Sequence, residues 1–254
     1  MNLQRPFSRL PLVSFILILV NVLLFVFELT RGVSALKPAT ADMIGWGANV
    51  AALTLNGDGW RLLSSMFLHI GLIHIAFNMY MLFAFGPLVE DRFGSARFIL
   101  VYFLSGLFGS LVSAEWHASQ NQVVVAAGAS GALMGISGAY VGHWLVARGR
   151  EGMQEELNMR PLAQTIGLNL VLGFINPGVD NACHVGGLIS GVVLGGAFAL
   201  GSFERSKLKR VVASTVISVL SLGVIYAVLQ RPTTPEMQLL GDEIRDMQAA
   251  RAPQ

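Results

Sequence analysis

Ser130 stands in the tetrapeptide Gly128-Ala129-Ser130-Gly131, and His184 opens a second glycine-rich stretch that runs to Gly195. Further upstream, His74 and Asn78 are four residues apart, a spacing that puts both on one face of a helix. These residue types suit nucleophilic chemistry. A serine hydroxyl is a weak nucleophile until an adjacent base takes its proton, and histidine is the usual base. The tetrahedral intermediate then needs donors aimed at its oxyanion, which amide side chains and backbone N–H groups supply. The serine does not sit in the nucleophile elbow of soluble hydrolases. That motif needs G-x-S-x-G after a strand, and Ala132 occupies the last glycine position here.

The elements that must carry these residues are apolar. The hydrophobic share is 54%, charged residues make up 13%, and the mean hydropathy is +0.61. Water-soluble domains carry about 25% charged residues, so the natural solvent for this chain is a lipid bilayer. The net charge of +2 gives no reason to expect nucleic acid as a partner. Cys183 is the single cysteine, which excludes an intrachain disulfide.

Seven apolar stretches approach the roughly 20 residues needed to cross a bilayer. They are Leu10 to Leu29, Leu68 to Val89, Phe98 to Ala114, Val123 to Val146, Leu162 to Ile175, Ala182 to Leu200 and Val211 to Leu229. The first is longer than a signal-peptide core and is read as a retained span despite Val33-Ser34-Ala35. The expected fold is therefore all-α, a polytopic transmembrane helical bundle. It divides into a short cytoplasmic segment 1–9, a membrane domain 10–229 and a polar tail 230–254. The tail is expected to be solvated, the alternative being an amphipathic helix over Glu236 to Met247. With the N-terminus inside, eleven of the seventeen Lys and Arg residues fall in inner segments, in line with the positive-inside rule.

Polar side chains within spans are costly and mark candidate sites. The second span carries His69, His74 and Asn78, the fourth Ser130 and the sixth His184. All three spans run from outside to inside, which places these groups at similar depth near the outer face. Gly131, Gly135, Gly138 and Gly142 line the fourth span, and Gly187, Gly191 and Gly195 recur every four residues on the sixth. Small residues at that spacing let two membrane helices approach closely and bring Ser130 toward His184.

These motifs, in this order, resemble those of the rhomboid intramembrane serine proteases. Trp60-Arg61 is similar to the family's Trp-Arg pair in the first outer loop, and His74-Ile-Ala-Phe-Asn78 to its His-x-x-x-Asn motif. Glu90-Asp-Arg92 resembles the Glu-x-Arg element, Gly128-Ala-Ser130-Gly131 the nucleophile motif, and His184-x-x-Gly187-x-x-x-Gly191 the base motif. The resemblance covers Asp58 to Gly196 and implies a six-span core with a seventh, C-terminal span. It also implies a Ser130–His184 dyad without a third acid, and oxyanion donors from the Ser130 amide, Asn78 and His74. The implied partners are single-span membrane protein substrates, cut near the outer membrane face; the compact form and short leader suit a bacterial inner membrane, and the serine mechanism requires no cofactor and no metal. One departure is Met134, where the family often has an aromatic residue packed on the histidine.

Blander readings exist for each residue. Ser130 alone would be a packing residue, and His74 with Asn78 a structural hydrogen bond between helices; their conjunction with His184 decides for chemistry. His69 is read as structural at the loop boundary, His117 as an outer-loop residue and His143 as lying at the inner end of the fourth span. Glu90 and Arg92 are expected to tie a loop to helix ends, and Trp60 to anchor at the interface. The short fifth span, with Gln164, Asn169 and Gly173, is expected to be weakly held. Three other functions compete with proteolysis. A zinc site from His69, His74 and His184 is opposed by their angular spread and by the expected lack of acids among the spans. A silent helix-binding protein is the main alternative, and a transporter is a weaker one.

Overall fold

The protein is described by a computed structural model covering residues 11–148, 159–176, 178–202 and 206–251. The segment 1–9, with Arg5 and Arg9, lies outside the described residues, as do Arg150 and Arg205. The described residues form eleven α-helices, in order α1 (Leu12–Thr30), α2 (Thr40–Trp46), α3 (Ala51–Thr54), α4 (Arg61–Ser64), α5 (Leu72–Phe93), α6 (Ser95–Ser119), α7 (Ser130–Ala147), α8 (Met159–Ile175), α9 (Asn181–Ser202), α10 (Lys207–Leu229) and α11 (Pro235–Ala249). The chain is an all-α polytopic bundle, as its sequence indicates.

Polarity along the bundle is inverted relative to a protein in water. In α1 the buried face carries Ser14, Asn21 and Glu28 beside Leu17 and Phe25, while Phe15, Ile16, Leu19, Leu23 and Phe27 point outward. Five helices are long and apolar enough to cross a membrane: α1, α5, α6, α9 and α10. With α7 and α8 they account for the seven stretches read from the sequence. The α7 helix is buried along most of its length, packed against α5, α6 and α9, so it needs no lipid-facing stripe. The expected lack of acids among the spans is overturned by Glu28, which is buried within α1.

Several boundaries move. The fourth span was expected from Val123, but residues 123–129 are extended or bent and helix begins at Ser130. Residue Asn49 holds this segment out of helix by exchanging two hydrogen bonds of 2.9 Å with Ala126. The second span begins at Leu72 rather than Leu68, because Gly71 enters it at φ 93° beneath the Leu36 carbonyl. His117 lies in the last turn of α6, not in a loop.

Between α1 and α5 a compact cap is built from α2, α3 and α4. Arg61 is its internal tie. Nη1 donates to the carbonyls of Ile44 and Ala48 at 2.8 and 3.2 Å, Nε donates to Asp58 at 3.0 Å, and the guanidinium lies over the Trp60 ring. The tail was expected to be solvated. Instead it forms α11, whose Met237 and Ile244 join the cap's core with Ile44, Val50, Leu53 and Leu62. Asn56 donates to the Met237 carbonyl, and Arg245 donates to the Asn56 carbonyl at 2.6 Å. Gly241 lets α11 settle on the Ala52 carbonyl, which a Cβ would approach to 2.5 Å.

At the other end of the bundle, Glu90 serves as a remote cap for α1. Its buried carboxylate accepts from the amides of Val13 and Ser14 at 3.1 and 2.8 Å, and from the hydroxyls of Ser14 and Ser95. This meets the expectation that Glu90 ties helix ends. Unpaired first-turn amides carry the positive end of the helix dipole, so a carboxylate there is stabilising. We predict that Glu90→Ala strands these donors and lowers folding stability by about 2–4 kcal/mol, measured by reversible unfolding in mixed detergent.

Candidate active site

The residues of interest gather where α5, α7 and α9 begin. His74 is the third residue of α5 and Asn78 the seventh, Ser130 is the first of α7, and His184 the fourth of α9. The depths expected from the sequence were greater for Ser130, His74 and Asn78, because their spans were started too early.

Glycine backbone brings these helix ends together. Gly128 adopts φ +134°, a conformation that suits glycine, and its amide donates to the Ser65 carbonyl at 2.8 Å. A Cβ there would lie 2.7 Å from His74 Cε1 and 2.9 Å from His74 Nε2, with Asn78 Nδ2 at 3.5 Å. On the other side of Ser130, a Cβ on Gly131 would meet Cys183 Sγ at 2.6 Å. Any side chain on Gly187, Gly191 or Gly195 would collide with the carbonyl oxygens of Gly131, Gly135 and Ala139. The two helices therefore run parallel with their backbones in contact over three successive turns, as small residues every fourth position allow. Ser130 is thus seated between the helix bearing His74 and Asn78 and the helix bearing His184.

The polar atoms suit the roles read for them. His74 Nδ1 accepts from the Ile70 amide at 3.2 Å, so the neutral ring carries its proton on Nε2, the atom facing Gly128. Asn78 is 2% exposed, and its Nδ2 has no hydrogen-bond partner among the described residues. The Ser130 amide lies in the first turn of α7, where backbone N–H groups lack an intrahelical acceptor. Three donors thus converge on the Gly128–Ser130 bend. His184 is buried, and its Nδ1 has no partner among the described residues, so no carboxylate takes the place of a third triad member. Neither the Ser130 hydroxyl nor the His184 ring takes a hydrogen bond among the described residues. Bonds of this kind commonly tighten only in the substrate complex.

A cavity of about 880 Å³ opens over the site, with His74, Asn78, Gly128, Ser130, Asp180 and His184 among its lining. Met134 is fully buried beneath it, four residues past Ser130. His69 lies outside the cluster of donors. Its Nδ1–H donates to the Phe67 carbonyl at 3.2 Å, and the ring packs edge-on against His74 at 5.3 Å, a structural role. Among the described residues no three His, Cys, Asp or Glu side chains are grouped as metal ligands. His143 packs on Phe93 near the far end of α7.

Asp180 escaped the sequence reading. It lies one residue before α9 and accepts from the Cys183 amide at 3.0 Å, the position of an N-cap. An aspartate just ahead of an apolar stretch is itself a helix-start signal, and starting the sixth span at Ala182 passed over it.

A helical membrane bundle with serine, histidine and amide groups at one end of three closely packed helices narrows the possible classes. A family model described as the Rhomboid domain matches residues 56–201. The chain is 31% identical to the rhomboid protease GluP of Bacillus subtilis over 234 residues, which cover 91% of this chain and 43% of that protein. It is also 31% identical to the rhomboid protease AarA of Providencia stuartii over 229 residues, covering 78% and 79% of the two chains. RHOMBOID-like protein 5 of Arabidopsis thaliana is 38% identical over 160 residues, or 63% of this chain and 50% of that one. The chain belongs to the rhomboid family. It spans less than half the length of the Bacillus relative.

Two expected outcomes follow from this geometry. Gly187→Val forces α9 away from the Gly131 carbonyl and should cost at least about 1–3 kcal/mol of stability in unfolding measurements, whereas Gly223→Val on α10, where a Cβ meets nothing, should cost much less. The second concerns acid. Burial, with the charge of His74 adding to it, pushes the His69 imidazole down from 6.5 to about 3. Between those values the folded state binds fewer protons than the unfolded one, so stability falls as the pH drops through that window. Thermal melts from about pH 7 to about pH 4 should show this loss, and His69→Gln should remove the His69 share of it.

Proposed function

We propose that this protein is an intramembrane serine endopeptidase that cuts transmembrane helices of single-span membrane proteins within the bilayer. The observation that carries the reading is the seating of Ser130. Backbone at Gly128 abuts His74 and Asn78, while backbone at Gly131 abuts Cys183 and Gly187. Family membership supports it, and the Bacillus and Providencia relatives are named as rhomboid proteases.

In this mechanism His184 takes the Ser130 proton as Oγ attacks the scissile carbonyl carbon. The carbonyl electrons move onto oxygen, where the Ser130 amide, Asn78 Nδ2 and His74 Nε2–H are the donors. Collapse of this intermediate breaks the C–N bond, His184 returns the proton to the leaving amine, and Ser130 is left acylated. Water, deprotonated by His184, then releases the second product. No metal or cofactor takes part in the proposal.

Orientation belongs to the same proposal. The excess of Lys and Arg in the inner segments supports a cytoplasmic N-terminus in a bacterial inner membrane, with the cavity opening toward the outer face. The unit from 10 to 229 is then the membrane domain. The fifth span, α8, exposes Leu168, Val171, Phe174 and Ile175, which supports taking it as the side through which a substrate helix enters.

The deciding measurement is cleavage of a single-span substrate in liposomes by wild type, Ser130→Ala and His184→Ala, each checked for folding. Wild type should cut, and each variant should lose at least about 1,000-fold in kcat. Equal cutting by all three would overturn the assigned chemistry. Substrate capture without cutting by folded wild type would favour the silent helix-binding alternative.

A further inference from the structure

Asp180 is a largely buried acid that the mechanism above does not use. Its side chain is 15% exposed and reaches three groups on two helices. On α9, Oδ1 accepts from the Cys183 amide at 3.0 Å, and the Asp180 main-chain carbonyl accepts from the His184 amide at 3.2 Å. On α6, the Ser113 hydroxyl donates to Oδ2, and His117 Nε2 stands 3.6 Å from Oδ1. His117 is in turn positioned by Gln122, whose Oε1 is 3.4 Å from Nδ1. Ser113 is 1% exposed, so its hydroxyl has no access to solvent as a substitute partner.

We propose that Asp180 is a positioning residue for His184, capping the first turn of α9 and fastening that turn to α6 through Ser113 and His117. The proposal rests on His184 acting as base. Asp180 does not act as a third triad member, because His184 Nδ1 has no partner among the described residues. It acts through the backbone. The Cys183 amide, next to the ring-bearing residue, ends on the Asp180 carboxylate, and the His184 amide ends on the Asp180 main-chain carbonyl, so moving this carboxylate shifts the turn that carries the imidazole. Glycine packing reaches this turn too, where Gly109 of α6 and Gly131 of α7 abut Cys183, and to that packing Asp180 adds the polar tie to α6. Burial opposes the charge on Asp180, yet the nearby His117 imidazole and the hydrogen bonds from Ser113 and the Cys183 amide outweigh it and hold the carboxyl below its ordinary value.

Misplacing a catalytic group by about 1 Å can cost roughly 100-fold in rate. The test uses the full chain in liposomes with a single-span substrate, and rates are expressed per active site counted by end-point fluorophosphonate labelling of Ser130. D180A should lower kcat by about 10- to 100-fold with KM within about twofold of wild type. D180N keeps an acceptor for the Cys183 amide and should recover most of that loss, since Asn and Asp cap comparably. S113A and H117Q each release one fastening to α6 and should lower kcat less, again without raising KM. They carry the test if D180A does not fold. A loss confined to the fraction of labelled sites, or an equal change in KM, would mean that Asp180 serves bulk stability alone and would overturn the proposal. So would unchanged kcat per site in D180A, or in both S113A and H117Q. Wild type that does not cut, or cuts no better than S130A, would instead overturn the protease reading and this inference with it.

Discussion

The structure depends on backbone-to-backbone contact between α7 and α9. Membrane helices gain nothing by hiding apolar side chains from lipid, so they associate through close van der Waals packing and polar contacts. Gly187, Gly191 and Gly195 against Gly131, Gly135 and Ala139 bring the two helix backbones into direct contact. That closeness puts the first turn of α7 beside the first turn of α9, and so puts a serine near a histidine. It also limits what may surround the pair. Ser105 closes over Gly135, Cys183 fills the space under Gly131, and Val112 lies on Gly186, so a methyl group added at any of these glycines has no free volume.

Around this contact, polar groups are placed where they replace solvent. Each of the helix beginnings at the site is tied from outside its own helix. The Leu72 amide donates to the Ala35 carbonyl and the Gly128 amide to Ser65, while Asp180 is held by α6. Glu90 does the same for α1 at the far end. In hydrocarbon an unpaired backbone donor costs several kcal/mol, which makes such ties a condition for ending a helix inside the bundle. Among the buried donors left without partners, Asn78 Nδ2 lies at the cavity. A strained or unsatisfied group persists only where the surroundings over-determine it, and under the proposed mechanism Asn78 Nδ2 is such a group, free to meet developing negative charge.

Much of this was legible in the chain itself. The seven apolar stretches, the glycine spacing on two of them and the order of Ser130, His184, His74 and Asn78 all have direct physical meanings in one dimension. The boundaries were less legible, because hydropathy does not separate an apolar helix from an apolar extended segment. Val123 to Ala129 is apolar enough for a span, yet the hydrogen-bond exchange with Asn49, more than seventy residues away, decides its conformation. Asp180, Ser113 and His117 were missed for a related reason. Each looks like a stray polar residue near a span end, and only the packing of α6 on α9 joins them. The tail was misjudged because its apolar positions, Met237 and Ile244, are too few to suggest a partner until the cap is seen to be incomplete without them.

The docking of α11 on the cap has a consequence for biogenesis. Asn56 and Met237 are 181 residues apart in the chain but joined by a hydrogen bond. At roughly 5–20 residues per second of synthesis, the cap waits on the order of 10–40 s for the helix that completes its core. Ile44, Leu53 and Leu62 stay partly uncovered over that interval, while the spans between them are already entering the membrane. The region translated early is thus among the last to finish folding, and a ribosome stalled before α11 would leave an assembled bundle with an open hydrophobic lid for quality-control proteases to find.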